Sequence, residues 1–351
     1  MPDSAAGRAP RGTIAVAGEA LVDIVPAPVQ RGADADRASI QRGADADRAS
    51  IQHYWELAPG GSPANVAVGL ARLEVPARML ARLADDLLGR RLRDHLAANG
   101  VDLSHAVEAD EASSLAIIEL ADDGQAIYDF RVEGTADWQW TPDELAGALD
   151  DGPAGPVVAV HSGSLALTTA PGAEVLRELM ASAVDTATVS YDPNFRPLLM
   201  GSPDEVLPGV HELLGLADVV KVSEEDLAWL HPGREPGDVV GEWLELGPAV
   251  VVVTLGANGV LAGTASGLHS VLPGRKVDVV DTVGAGDSFS AALLAGLHRR
   301  GLLGASARED LYRIGRDALD GVLGEAVTAA AITCSRHGAD PPTRAELDAE
   351  S

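Results

Sequence analysis

The fold is decided by one glycine-rich stretch, Asp281-Thr282-Val283-Gly284-Ala285-Gly286-Asp287-Ser288-Phe289. An apolar, β-branched run at 277–280 precedes it, and apolar residues at helical spacing follow it over 289–297. The pattern predicts a strand that ends in a tight turn and passes directly into a helix. The residues of this turn are therefore the first candidates for a binding site.

A turn of this kind suits a phosphate group. It points several backbone N–H groups at one spot and adds the positive end of a helix dipole. Gly284 and Gly286 permit backbone angles and close approaches that a side chain would block. We expect the amides of Gly284, Ala285 and Gly286 to hold the negative charge that develops during phosphoryl transfer.

Asp287 has two interpretations. A carboxylate in the first turn of a helix commonly caps the helix. The second interpretation is a general base. A turn whose amides bind phosphate should not also hold a negative charge unless that charge has a function, and a general base must lie beside the phosphate that it helps to transfer. The nine-residue string as a whole favours the base.

Two better-known phosphate motifs are excluded. A P-loop needs a Lys followed by Ser or Thr after its last glycine, and none follows here. A dinucleotide fingerprint needs a third glycine three residues after Gly286, where Phe289 stands. That mismatch makes an oxidoreductase improbable.

The nine-residue string resembles the C-terminal signature of the ribokinase-like (PfkB-type) carbohydrate kinases, the family that includes fructokinases. A second signature of that family is similar to Gly60-Gly61-Ser62-Pro63-Ala64-Asn65-Val66-Ala67. The resemblance extends over about 14–338. It implies an α/β fold, a three-layer α/β/α sandwich with a mostly parallel central sheet and a small β lid.

The expected organisation is a disordered tail at 1–12, a kinase domain at 13–340 and a C-terminal tail at 341–351. The lid is expected from about 18–57 and 110–132. An exact tandem repeat of QRGADADRASI fills residues 30–51 and is interpreted as a duplicated surface loop.

Alternating strand and helix patterns after residue 153 support a parallel sheet. The expected strands of the main sheet are 13–17, 157–161, 188–192, 218–222, 249–254 and 277–280. Two lid strands are expected at 112–120 and 125–132, joined by a turn at 122–124. Helices are expected at 63–73, 85–99, 173–183 and 237–246, and Ser62 is expected to cap the first of them.

Composition excludes several classes of protein. The chain of 351 residues has 26 Lys and Arg against 53 Asp and Glu, a net charge of −27. Such an acidic surface repels nucleic acid and anionic membranes. The single cysteine, Cys334, excludes an intrachain disulfide, and residues 1–12 carry no apolar signal region, so we expect a cytoplasmic protein. The nine histidines lack metal-ligand spacing.

The resemblance assigns residues to the sugar. The substrate-binding candidates are Asp23, Gly60, Gly61, Asn65, Arg131, Ser164 and Arg196. The alternatives stay open for three of them. Asp23 is also readable as a loop carboxylate, and Arg131 as a surface charge. Arg196 is readable as the partner of Asp192, the interpretation we favour for part of its role.

The resemblance also assigns residues to ATP. The nucleotide-binding candidates are Lys221, Ser223, Glu224, Thr254, Gly256, Gly259 and Thr282. Glu224 would hold Mg²⁺ through water, an interpretation we favour over the alternative of a favourable charge at a helix N-terminus. A monovalent cation, K⁺, would lie near Asp281, Thr333, Arg336 and Gly338.

The sequence therefore predicts an ATP-dependent sugar kinase that phosphorylates a primary hydroxyl of a monosaccharide, most like a fructokinase. Ketodeoxygluconate kinase, ribokinase and nucleoside kinase remain alternatives. A non-catalytic sugar sensor is the alternative from another class, and the intact Asp287 and glycines argue against it. The resemblance also allows a homodimer paired through the lid.

Overall fold

A computed structural model of the chain describes residues 12–26, 55–120 and 126–350. The strands of this region are β1 (Thr13–Ala17), β2 (Leu21–Pro26), β3 (Trp55–Gly60), β4 (Ala77–Leu80), β5 (Arg82–Ala84), β6 (Val107–Ala109), β7 (Leu115–Leu120), β8 (Ala126–Arg131), β9 (Val157–Gly163), β10 (Thr188–Asp192), β11 (Val219–Ser223), β12 (Val250–Thr254), β13 (Val260–Thr264) and β14 (His269–Leu272).

The helices are α1 (Ser62–Arg72), α2 (Leu87–Ala98), α3 (Gly172–Ala183), α4 (Pro197–Met200), α5 (Pro203–Leu216), α6 (Glu224–Leu230), α7 (Pro236–Glu245), α8 (Ala285–Arg299), α9 (Arg308–Tyr312), α10 (Arg316–Cys334) and α11 (Arg344–Ala349). Short 3₁₀ turns occur at Ala136–Trp138, Pro142–Leu145, Ser164–Leu167, Gly256–Asn258 and Ala305–Ala307. None of the helices in these described ranges is long and apolar enough to cross a membrane.

The main sheet has eight strands in the order β14-β13-β12-β11-β10-β9-β1-β4. The strands from β4 to β12 in this order pair in parallel, and β13 and β14 add an antiparallel edge. Successive side chains of a strand point to opposite faces of the sheet. Val250 and Val252 accordingly enter one buried core, and Val251 and Val253 enter the other.

Helices cover both faces of this sheet. Helices α1, α8 and α10 contribute to the first core, and α3, α5, α6 and α7 contribute to the second. The observed architecture is therefore the predicted three-layer α/β/α sandwich. Because the parallel strands run the same way, their carboxyl ends meet at one edge, where ligands bind in open α/β sheets.

A second, four-stranded sheet has the order β3-β2-β7-β8 and forms the lid. Strands β2 and β3 pair antiparallel, β2 and β7 parallel, and β7 and β8 antiparallel. The predicted small β lid is thus present. The duplicated segment at 30–51 and the turn at 122–124 lie outside the described residues.

One predicted strand is wrong. Residues 277–280 form no strand, and Val279 and Val280 are 65% and 46% exposed. The Val280 N–H donates to the Cys334 carbonyl at the end of α10, at 2.8 Å, instead of to a neighbouring strand. β-branched residues favour a strand only where a pleated, half-buried surface accepts them.

The expected tails also need correction at the C-terminus. Residues 341–351 contain α11, and Leu347 of this helix is fully buried in the first core. Thr343 caps α11 together with Glu346, which explains the local helix. Of the expected N-terminal tail only Gly12 is described, and its carbonyl lies 3.2 Å from His298 Nε2.

Two Gly→Ala variants test this packing. A Cβ at Gly163 would lie 1.9 Å from the Asp192 carbonyl oxygen on the neighbouring strand, whereas a Cβ at Gly241 in α7 meets nothing within 4 Å. We expect G163A to lose about 1–3 kcal/mol of unfolding free energy. G241A should gain about 0.5–1 kcal/mol, because alanine loses less backbone entropy. Urea denaturation of both variants checks this, and equal midpoints would contradict it.

Candidate active site

A cavity of about 600 Å³ lies between the carboxyl edge of the main sheet and the lid. Its lining includes Asp23, Asn65, Ser164, Arg196 and Asp287. These residues come from segments far apart in the chain. The structure therefore brings most of the predicted sugar-binding residues and the predicted base to one cavity.

Asp287 lies in the first turn of α8 and is buried. Ser62 Oγ donates to Asp287 Oδ1 at 2.6 Å, and Asn65 Nδ2 donates to Asp287 Oδ2 at 2.8 Å. Both donors lie in α1, so the two glycine-rich motifs meet at this carboxylate. Ser62 was expected as a helix cap, but it makes no side-chain cap bond, and its hydroxyl holds Asp287 instead.

The turn before α8 depends on its glycines. Gly284 has a left-handed φ of 74°, and a Cβ there would lie 2.5 Å from the Ala339 Cβ. A Cβ at Gly286 would lie 3.0 Å from Lys221 Nζ. The Ala285 N–H donates to the Thr282 carbonyl at 3.3 Å. The turn therefore packs against Ala339 on one side and a buried ammonium on the other.

The environment of Asp287 perturbs its titration. Burial raises the pKa of Asp287, while the bonds from Ser62 and Asn65 and the charge of Lys221 oppose that rise, and the nearby Asp192 supports it. The net pKa lies above the ordinary value for aspartate. A general base is most effective when its pKa approaches the working pH, so this shift favours base catalysis.

Lys221 is buried and forms an ion pair beneath the turn. Its Nζ donates to Asp192 Oδ2 at 3.0 Å, and Ser290 Oγ donates to the same oxygen at 3.1 Å. Burial alone would lower the pKa of Lys221, but Asp192 outweighs it and the pKa is raised, so the ammonium stays charged. Lys221 thus lies directly beneath the turn, and its ammonium group is held by the ion pair with Asp192.

Arg196 does not pair with Asp192, contrary to the interpretation favoured from the sequence. It donates instead to Asn194 Oδ1 at 2.7 Å and to the carbonyls of Asn194 and Phe195 at 3.0 Å. Lys221 forms the ion pair with Asp192, which explains why Arg196 does not. Arg196 lines the cavity as its single basic residue in the described part of the chain.

Asp23 and the glycines of the second motif, Gly60 and Gly61, lie on the side of the cavity that the resemblance assigns to the sugar. Burial raises the pKa of Asp23 to about 6, Asp287 adds to the rise, and Arg196 opposes it. A Cβ at Gly60 would lie 2.2 Å from Asp23 Oδ2, and Gly61 has a φ of 98° at the start of α1. Glycine at position 60 leaves room for the Asp23 carboxyl, and glycine at position 61 leaves room for the Glu19 carbonyl, 2.6 Å from where a Cβ would lie.

Arg131 lies away from the cavity. Its side chain is 63% exposed and pairs with Asp129 at 2.7 Å. Phe130, the preceding residue in β8, lines the cavity. Side chains of a strand alternate between its two faces, so an inward Phe130 turns Arg131 outward. The structure therefore brings Phe130 to the site and turns Arg131, the predicted sugar contact, away from it.

The predicted nucleotide-binding residues do not all line the cavity. Thr282 lines the cavity. Thr254 ends β12, and Gly256 and Gly259 follow that strand, at the same sheet edge but outside the lining. Ser223 caps α6, where its Oγ donates to Asp226 Oδ2 at 2.7 Å. Glu224 is exposed and does not line the cavity, but its neighbour Glu225 does.

The segment around Thr333 is brought to the glycine-rich motif. The Val283 and Gly338 N–H groups donate to the two oxygens of Asp281 at 3.0 and 2.9 Å. Thr333 is buried with its hydroxyl 2.7 Å from Ser288 Oγ. Arg336 forms ion pairs with Asp340 and Glu346. Asp281 thus links the glycine-rich turn at Val283 to the segment around Gly338, and this link is called the Asp281 clasp below.

Several site residues were missed from the sequence. They are Glu19, Ser62, Asp192 and Glu225, of which all but Asp192 line the cavity. The signal was present for Ser62 and Glu19, because both lie within motifs that the sequence singled out. The partners of a buried Asp192 depend on tertiary packing and carry no local signal.

Comparison with known proteins agrees with this geometry. A model of the pfkB family carbohydrate kinases matches residues 14–346. The chain therefore belongs to this family and is a carbohydrate kinase, a phosphotransferase that acts on an alcohol group.

Similar individual proteins are fructokinases. The fructokinase of Rhizobium leguminosarum bv. trifolii is 34% identical over 262 residues, covering 74% of this chain and 78% of that protein. A structure of Xylella fastidiosa fructokinase with bound ATP superposes with a TM-score of 0.81 and 27% identity, covering 96% and 97% of the two chains. A Vibrio cholerae fructokinase double mutant with fructose, ADP and potassium has a TM-score of 0.77 and 25% identity, covering 98% and 99%.

The hydrogen bond from Ser62 to Asp287 predicts how kcat/KM depends on pH. A general base works in its ionised form, so kcat/KM falls as the pH drops through the pKa of Asp287. Ser62→Ala removes a donor that stabilises the ionised form, so the acidic limb should move up by about one pH unit. The measurement is kcat/KM against pH, with Ser182→Ala on α3 as control. An unmoved limb, or one displaced to lower pH, would refute this role of Ser62.

Proposed function

We propose that the chain catalyses ATP-dependent phosphorylation of a primary hydroxyl of a monosaccharide, with fructose as the preferred sugar. The observation that carries this proposal is the buried Asp287 carboxylate, which faces the cavity and is held by two donors from the sugar-binding motif. A carboxylate used only as a helix cap would accept from the amides of its own first turn.

The reaction follows from this arrangement. The sugar hydroxyl oxygen forms a bond to the γ-phosphorus of ATP while the bond from that phosphorus to the bridging oxygen of ADP breaks. Asp287 takes the hydroxyl proton. The amides at the start of α8, around Gly284 and Gly286, stabilise the charge on the transferred phosphoryl group. Lys221 adds a fixed positive charge behind Gly286.

The charge of the cavity supports a neutral sugar. Among the residues that the structure describes, four acidic ones line it (Glu19, Asp23, Glu225 and Asp287) against one arginine. Buried carboxyl groups suit the hydroxyls of a polyol, whereas the carboxylate of ketodeoxygluconate would meet like charge. The fructokinase relatives and their fructose-bound structure point the same way. Ribokinase and nucleoside kinase activity remain the alternatives.

Mg²⁺ is proposed to accompany ATP. Among the described residues no group of three or more His, Cys, Asp or Glu forms a protein-only metal site. This fits Mg²⁺, which is commonly held by one or two carboxylates together with substrate phosphates and water. Glu225 lines the cavity and replaces Glu224 as the residue for that task. The ion would neutralise phosphate charge in this acidic cavity.

K⁺ is proposed near the Asp281 clasp, because the Vibrio cholerae relative contains potassium and the clasp joins the two segments assigned to the ion. Each Asp281 oxygen accepts one amide N–H and keeps a lone pair for a cation. A homodimer through the lid also remains a prediction.

A panel of acceptors tests the choice of sugar. ADP release is measured with fructose, ribose, ketodeoxygluconate and adenosine at equal ATP and Mg²⁺, with KCl exchanged for choline chloride in a parallel series. We expect the highest kcat/KM with fructose and the lowest with ketodeoxygluconate. A preference for ketodeoxygluconate would contradict the charge argument, and equal rates in both salts would contradict the K⁺ proposal.

Asp287→Asn tests the chemical step. The amide keeps the shape of the side chain but takes up no proton, so kcat should fall by about 10²- to 10⁴-fold. Calorimetry should show ATP binding within a few-fold of wild type. Asp310→Asn, on an exposed turn of α9, is the matched control. Wild-type turnover by Asp287→Asn would discard the mechanism.

A further inference from the structure

Glu19 is a buried carboxyl group that the proposed reaction does not use. It lies between the end of β1 and the start of β2, is 1% exposed, and lines the cavity. Among the described residues its Oε2 atom has no hydrogen-bond partner. A buried polar atom without a partner costs free energy unless a ligand supplies the missing bond.

The other contacts of Glu19 orient it. The Ser164 hydroxyl hydrogen-bonds the Glu19 carboxyl, and Ser164 itself has a left-handed φ of 55° directly after β9. Such a conformation is strained for a residue with a side chain and persists where the surroundings require it. Both residues line the same cavity, so Ser164 holds the Glu19 carboxyl at the cavity wall.

The loop that carries Glu19 does not need this side chain as an anchor. The Ala20 N–H donates to Asp137 Oδ1 at 2.8 Å, and Ser114 Oγ donates to Asp137 Oδ2 at 2.5 Å. Asp137 is buried and already ties the start of the lid strand to the domain. A second buried carboxyl beside it is therefore better explained by a ligand than by loop stability.

We propose that Glu19 is a specificity-determining residue, whose free carboxyl oxygen hydrogen-bonds a hydroxyl of the bound sugar that does not react. This inference rests on the proposed function, since it assumes a sugar in this cavity. Asp287 takes the reacting hydroxyl, which leaves the remaining hydroxyls for Glu19 and Asp23. Carboxyl groups bind hydroxyls selectively, because a sugar without the matching hydroxyl leaves the buried group unpaired.

The protonation of Glu19 is compatible with this role. Burial raises its pKa to about 7, Asp137 contributes to the rise, and Ser164 and Arg196 oppose it. Near neutral pH both forms of the carboxyl are therefore populated. The ionised form accepts a bond from a hydroxyl, and the protonated form donates one to a hydroxyl oxygen.

The test is a cycle between Glu19 variants and sugar analogues. Wild type, Glu19→Gln and Glu19→Ala are assayed with fructose, its 3-deoxy and 4-deoxy forms, psicose and tagatose. For Glu19→Ala we expect kcat/KM with fructose to fall about 10- to 100-fold, mainly through KM of the sugar, with KM for ATP within about two-fold. Glu19→Gln should show part of this fall in kcat/KM. Glu178→Gln on α3 is the control.

The decisive result is the penalty for removing one hydroxyl. Wild type should discriminate against one deoxy sugar by about 10-fold or more, and Glu19→Ala should discriminate against it by less than about two-fold. Equal penalties in both enzymes would overturn the inference, because a structural role does not depend on one hydroxyl. Thermal melting of each variant identifies misfolded protein. If Glu19→Ala is misfolded, the penalties of wild type and Glu19→Gln are compared instead.

Failure of the proposed function gives a different result. If wild type does not phosphorylate fructose, the same cycle is run with deoxy forms of the sugar that the acceptor panel identifies. If no sugar turns over, the ratios are taken from calorimetric dissociation constants of the same sugars. In each case a hydroxyl-specific penalty that disappears in Glu19→Ala supports the inference, and an unchanged penalty overturns it.

Discussion

The hydrogen bonds from Ser62 and Asn65 to Asp287 join the two halves of the active site. A buried carboxylate must have donors, and here both come from the helix that follows the lid. Helices α1 and α8 pack closely enough to deliver them, since a Cβ at Gly69 would lie 2.6 Å from the Ala291 Cβ. The position of α1 and the position of the Asp287 carboxylate are therefore set by the same contact.

A second constraint is charge. The chain carries −27, yet its activity requires an anionic nucleotide beside an acidic cavity. The buried ion pair of Lys221 and Asp192 lies under the turn, with the ammonium group behind Gly286. In the proposed reaction the helix dipole and a metal ion would offset the charge of the phosphates locally. The acidic residues of the cavity would then face the hydroxyls of the sugar.

The sequence predicted what local pattern and motif spacing determine. The parallel strands and the position of Asp287 follow from the alternation of strand and helix patterns and from glycine-rich turns, and the lid follows from the family resemblance. Features set by tertiary contact were missed or wrong. Arg131 points outward because Phe130 points inward, and the apolar run at 277–280 finds no partner strand. Lys221 rather than Arg196 pairs with Asp192, a choice that only the packing of neighbouring strands decides.

The central claim is that Asp287 removes a proton from a sugar hydroxyl. Its most direct test is a crystal structure of the chain with fructose and a non-hydrolysable ATP analogue. We expect one Asp287 oxygen within about 2.6–3.2 Å of a primary hydroxyl oxygen, with that oxygen in line with the γ-phosphorus. A sugar whose primary hydroxyls all lie beyond the reach of Asp287, with another group at the reacting oxygen, would contradict the account.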